Sequence, residues 1–111
     1  MPNRTYPPAT RELAQQCRDR ASAQQAAFDA FGKAVFAVGA LPAKIKQIIA
    51  VAAAHVTQCP YCIKGHTQAA RRAGARLQEL MEAIWVAVEM RARGAYAHSA
   101  LMLDTLNEES H

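Results

Sequence analysis

A chain of 111 residues is one domain's worth of protein, able to bury roughly 60–70% of the surface its unfolded form exposes. Apolar residues make up 51%, while Gly and Pro number five each, a balance that argues against disorder and against an all-β architecture. The net charge of +4 is spread among acids, and Arg71, Arg72 and Arg76 have no adjacent aromatic to stack on bases, so a solvated basic surface is expected and a nucleic-acid partner is not.

Residues 1–9 are Pro-rich and read as an extended arm without the apolar segment of a secretory signal. Thr10 is a plausible N-cap, and from Arg11 to about Val38 apolar positions recur at three- and four-residue steps, predicting one long helix with any break at Gly32. Cys17 lies on its apolar stripe and reads as a small buried hydrophobe, and Gly39 as the C-terminal cap. Ala43 to about Thr57 is a second helix after Leu41-Pro42. Its stripe is Ile45, Ile48, Ile49, Ala52 and Val56, with Lys44 and Lys46 toward water and Gln47, Val51 and His55 in a neighbouring row.

A third helix runs from Cys59/Pro60 to about Ala73 and stops at Gly74. A fourth, about Leu77 to Arg91, is amphipathic, with Met81, Trp85 and Met90 expected in the core; after a break at Gly94, Tyr96 to about Leu106 forms the last. His98 reads as a residue of that helix's face, with the lining of a pocket from a neighbouring element as the less favoured alternative, and Asn107 to His111 as a fraying tail. The longest apolar run, Ile48 to Ala54, is far short of the ~20 residues of a membrane span, so no membrane partner is expected. The fold class is all-α, a single domain over residues 1–111 with about five to six helices. So thin a helical core is expected to complete itself by oligomerising.

The informative stretch is Gln58-Cys59-Pro60-Tyr61-Cys62-Ile63-Lys64-Gly65-His66. At ~100° per residue, Cys59, Cys62 and His66 share one narrow helical face, so two thiols and a base able to act near neutral pH meet. Cys59 at the helix start would be acidified by unpaired N–H groups, whereas Cys62, one turn before His66, could lose its proton to the imidazole. Either cysteine could be the attacking one on this reasoning. In a reducing, cytoplasmic compartment three cysteines point to redox or metal chemistry rather than a disulfide framework. Zinc held by Cys59, Cys62, His66 and His55 is the sharper rival, and a packing motif the plainer one. His55 is equally a backbone-bonded core histidine or a proton-transfer group at the thiol face.

Ile45 through Thr67, continued by Ala73-Gly74-Ala75, Glu82 to Ala87 and Arg91 to His98, resembles the carboxymuconolactone decarboxylase/alkylhydroperoxidase D-like family over about residues 35–103. The resemblance implies an alkylhydroperoxidase D-like helical bundle assembled into trimers or hexamers. It also implies a peroxidase that cycles between dithiol and disulfide, with a peroxide substrate, an external thiol or dithiol reductant protein, and neither cofactor nor metal. It assigns attack to Cys62, resolution to Cys59 and a proton relay to His66. It places glutamate where this chain has Gln47, an amide that cannot accept the proton, and His55 is expected to substitute for it. The alternatives are a non-catalytic zinc-binding or oligomeric scaffold and, less favoured, a lactone decarboxylase, whose chemistry has no use for a dithiol.

Overall fold

Six helices and no strands make up residues 5–109, the part of the chain described by the computed structural model. The all-α expectation holds. The expected arm is irregular and exposed from Thr5 to Ala9, and its first four residues lie outside the described part, as do residues 110 and 111 of the expected tail. The chain divides into two compact units, one ending at Gly39 and one running from Ala40 onward.

In the first unit α1 spans Arg11–Arg20 and α2 spans Ser22–Phe36. Thr10 caps α1, its Oγ1 accepting the Leu13 N–H at 3.2 Å. The single long helix is thus corrected to two: the chain breaks at Ala21, with φ −155° and ψ 66°, and passes Gly32 without interruption. Alanine is the best helix former, so the break is not a matter of propensity. It lets Arg18 reach Asp29 at 3.9 Å, although eleven residues of straight helix would hold them about 16 Å apart. That exposed pair contributes little and reports the fold-back rather than causing it. Cys17 is exposed, not buried, because neither helix of this unit buries a residue. The cap after α2 is Ala37 in extended conformation, not Gly39.

The second unit is built on α3, Ala43–Thr57, which packs against both α4, Pro60–Arg72, and α5, Leu77–Ala97; α6, Ser99–Glu109, follows α5. Val51 of α3, Ala70 of α4, Ala75 of the α4–α5 connection and Leu80 of α5 are buried together, with Ile48 and Ile84 packed on them. Small residues at the contact let the helix backbones approach closely, and among the described residues Val51 is the largest side chain fully enclosed. The buried line of α3 is therefore Ile48, Val51 and Ala54, while Ile49 and Val56, expected inside, are exposed. Lys44 is half-buried and paired with Glu79 at 2.9 Å.

The α4 terminus shows why Gly74 belongs there. Its φ is +98°, with the Ala75 N–H bonded to Ala70 O at 2.9 Å and the Gly74 N–H to Arg71 O at 3.0 Å, a paired closure that needs a left-handed residue. Helix α5 runs through Gly94, six residues past the expected end at Arg91, and turns into α6 only at His98. One glycine costs a helix about 1 kcal/mol, too little to break one this long. The Ser99 hydroxyl on Tyr96 O, at 2.6 Å, marks the true junction. Asn107 to Glu109, expected to fray, are helical. Met81, Trp85 and Met90 are exposed rather than core, because α3 covers only the Leu80, Ile84 and Ala87 face of α5. Trp85 sits about 100–160° around the helix from these three. Among the described residues no helix is long and apolar enough to cross a membrane.

Candidate functional site

The junction of α3 and α4 places the motif. Gln58 adopts a left-handed conformation, φ 59° and ψ 44°, where glycine is the usual occupant. Such a conformation costs a side-chain-bearing residue roughly 1–2 kcal/mol. Two bonds hold it: the Gln58 N–H and the Cys59 N–H, the latter at 3.2 Å, both reach Ala54 O. Cys59 thereby closes α3 and opens α4. Its Sγ accepts the Cys62 N–H at 3.3 Å as the N-cap of α4, its carbonyl takes the Ile63 N–H at 2.9 Å, and Pro60 follows where a missing N–H is harmless.

This geometry favours Cys59 over Cys62 as the anion. Hydrogen bonds from the Cys62 side chain and then the Cys62 N–H hold the Cys59 thiol below its usual range, with partial burial opposing. Cys62 moves the other way, raised first by its hydrogen bond to Cys59, then by burial and by the neighbouring charge. The helix dipoles contribute little, since the negative end of α3 and the positive end of α4, about half a charge each, meet at this residue. The acidity is therefore a short-range effect. Cys59 is half-buried and Cys62 exposed, and both are free thiols.

His66 lies one turn beyond Cys62. Its Nδ1 is 2.8 Å from Gln47 Oε1, a bond that ties α4 to α3 across nineteen residues of sequence. An amide oxygen only accepts, so Nδ1 of His66 is the donor in this bond. His55 lies about two turns beyond Gln47 on α3, and its Nδ1 is 2.7 Å from Val51 O, four residues back on its own helix. Gln47 is thus a direct partner of His66. No group of three or more His, Cys, Asp or Glu side chains among the described residues is arranged to hold a metal, so the rival reading, a zinc set of Cys59, Cys62, His66 and His55, finds no support.

Arg91 escaped the sequence reading. Its Nη1 donates to Val56 O at 2.7 Å, capping the last turn of α3 just before the motif. With His98 it lines a groove of about 310 Å³, so His98 is not simply a residue of the last helix's face. The signal was available: Leu80, Ile84 and Ala87 are followed at three- and four-residue steps by Arg91, Gly94 and His98, the same face of α5 continued.

The profile of the carboxymuconolactone decarboxylase family matches residues 23–104. "Uncharacterized protein 4 in cox locus" of Paracoccus denitrificans is 54% identical over 104 residues, covering 94% of this chain and 93% of its own. An uncharacterised protein of Cupriavidus necator is 39% identical over 102 residues, covering 86% and 90%. Among solved structures, a structural-genomics protein of Methanobacterium thermoautotrophicum superposes with TM-score 0.72 at 30% identity, over 76% of this chain and 94% of that one. The apo form of a carboxymuconolactone decarboxylase family protein from Legionella pneumophila gives 0.67 at 30%, over 92% and 94%.

Proposed function

Because this chain belongs to the carboxymuconolactone decarboxylase family, and because one of its paired thiols is held acidic within reach of the other, we propose that it is a dithiol peroxidase of the alkylhydroperoxidase D-like kind. The observation that carries this reading is the Cys62-to-Cys59 bonding in the turn that precedes the Gln47-anchored His66.

The Cys59 thiolate attacks the terminal oxygen of a hydroperoxide. The S–O bond forms as the O–O bond breaks, leaving Cys59 as a sulfenic acid and releasing an alkoxide. Cys62 supplies the alkoxide's proton, with Nε2 of His66 as the relay. The Cys62 thiolate then displaces hydroxide from the Cys59 sulfur; that hydroxide takes a proton from solvent, and the disulfide is complete. An external thiol or dithiol reductant protein returns two electrons. The raised Cys62 suits a resolving thiol that needs a base, and the lowered Cys59 suits a nucleophile. This inverts the order the resemblance implies. The cycle needs no cofactor beyond the cysteine pair, and it fits the reducing interior of a cell.

The test is consumption of cumene hydroperoxide and hydrogen peroxide by the reduced protein with excess dithiothreitol. Continuous consumption with a Cys59–Cys62 disulfide in the oxidised protein is expected; no consumption of either peroxide sinks the reading.

Self-association belongs to the same proposal. Met81, Trp85 and Val88 form one exposed row on α5, and Leu101, Met102, Leu103 and Leu106 are exposed on α6, more apolar surface than a lone small domain ordinarily leaves in water. A second copy of the chain is the expected cover, as a trimer or hexamer. Sedimentation at micromolar concentration should show the assembly and Trp85→Glu should weaken it; a monomeric wild type would count against it.

A further inference from the structure

Helix α5, at 21 residues, is about 31 Å long, whereas the 15-residue α3 that covers it is about 22 Å. The face of α5 that buries Leu80 and Ala87 against α3 therefore runs on uncovered past Thr57, as Arg91, Gly94 and His98. Glycine where a larger side chain would fill the overhang leaves the groove of about 310 Å³ open, between Val56 on one side and Met90 and Ala95 on the other. This volume is at the lower end of small-molecule sites. Val56 is three residues from Cys59, so their Cα atoms are at most about 11 Å apart.

The groove's polar end is cationic. Arg91 uses one of five N–H donors on Val56 O, and among the described residues no carboxylate pairs with it. Its unit charge exceeds the roughly half charge at the α3 terminus, while the opposed ends of α5 and α6 offset one another at His98. Guanidinium donors beside an apolar wall select a ligand that is apolar in body and carboxylate at one end.

We propose that this groove binds the organic part of the substrate, a small apolar carboxylic acid whose hydroperoxide group reaches the cysteine pair. The ligand's peroxide chemistry rests on the function proposed above; its recognition rests on the groove alone. Binding is measured by calorimetry on the full chain with an unreactive probe, 4-isopropylbenzoate, and its neutral counterpart, 4-isopropylbenzamide. The acid is expected to bind at least tenfold more tightly than the amide. Arg91→Gln should abolish that preference. Gly94→Leu, whose new Cβ meets nothing within 4 Å and whose helix propensity improves, should fill the groove and weaken binding at least tenfold without lowering the melting temperature. Equal affinity for acid and amide, or unchanged affinity in Gly94→Leu, overturns the proposal. Hydroperoxide consumption without selective binding sinks the groove and leaves the thiol chemistry standing. Selective binding in a protein that consumes no hydroperoxide sinks the thiol chemistry and keeps the groove.

Discussion

Reduced protein carrying Cys62→Ser is expected to consume about one equivalent of hydroperoxide and stop, with Cys59 trapped as a sulfenic acid, whereas Cys59→Ser should consume none above background. The reasoning starts from the bonds to the Cys59 sulfur. Its anion is stabilised by the Cys62 side chain and N–H, and a serine at position 62 keeps both an O–H and an N–H to donate. Nucleophilicity should therefore survive at Cys59 while resolution, which needs a second sulfur, is lost. Turnover falls to background in either variant, and the single-turnover burst separates them. The same logic fixes the titration: thiolate absorbance of the reduced wild type should rise below the ordinary thiol range, and this component should vanish in Cys59→Ser. A burst in Cys59→Ser with sulfenic acid on Cys62 would instead restore the order that the family resemblance implies.

Replacing Gln47 by glutamate should produce the second large effect. The His66 Nδ1–H now meets a neutral amide oxygen at 2.8 Å; a carboxylate there would make the bond charge-assisted and favour the protonated ring. Hydrogen bonds to charged groups contribute about 1.5–3 kcal/mol against 0.5–1.5 for neutral ones, which places the change at roughly one pH unit. The sign follows from the role. A base must be neutral to act, so stabilising the protonated ring moves the rising limb of the pH–rate profile upward. Gln47→Ala removes the anchor and should cost about tenfold in rate at every pH, the equivalent of one hydrogen bond. His55→Ala should leave the profile in place, since its ring is bonded to its own helix at Val51 O. A profile that followed His55 rather than Gln47 would return the relay to His55.

Structure is legible in the sequence where a local signal is strong. The bounds of α3 and α4 follow from Pro42 and Pro60, whose fixed φ suits a helix start, and from Gly74, which alone accepts the positive φ of the closure without strain. Cys62 and His66 lie one turn apart on α4, whereas Cys59 precedes the helix as its extended N-cap, so its place beside Cys62 comes from the cap rather than from helical period. What failed was decided by tertiary packing. No residue near Ala21 announces a break, because the turn is visible only in what it brings together, Arg18 and Asp29. Gly94 gave a false signal, since a long helix absorbs one glycine when both sides continue the pattern. Trp85 and Met81 were assigned to the core by apolarity, but which stripe of α5 is buried depends on where α3 lies. Gln47 was placed in the correct row of α3, yet its bond to His66 depends on how two helices cross, which no residue spacing specifies.

Cys59 joins two helices and also carries the sulfur proposed to attack, and this makes chemistry and architecture hard to separate at that one position. Any replacement that removes the nucleophile also tests the joint: alanine takes away the cap of α4 along with the thiol, and a loss of about 1 kcal/mol of stability follows from the cap alone. Serine is the substitution that distinguishes the two roles, because its hydroxyl caps a helix as well as any side chain while lacking an attacking thiolate. The same constraint bears on what residues can occupy position 59 over time. A lineage that abandoned the thiol chemistry would still be expected to keep a small capping side chain there, so a serine or aspartate at this site marks lost reactivity in an intact fold.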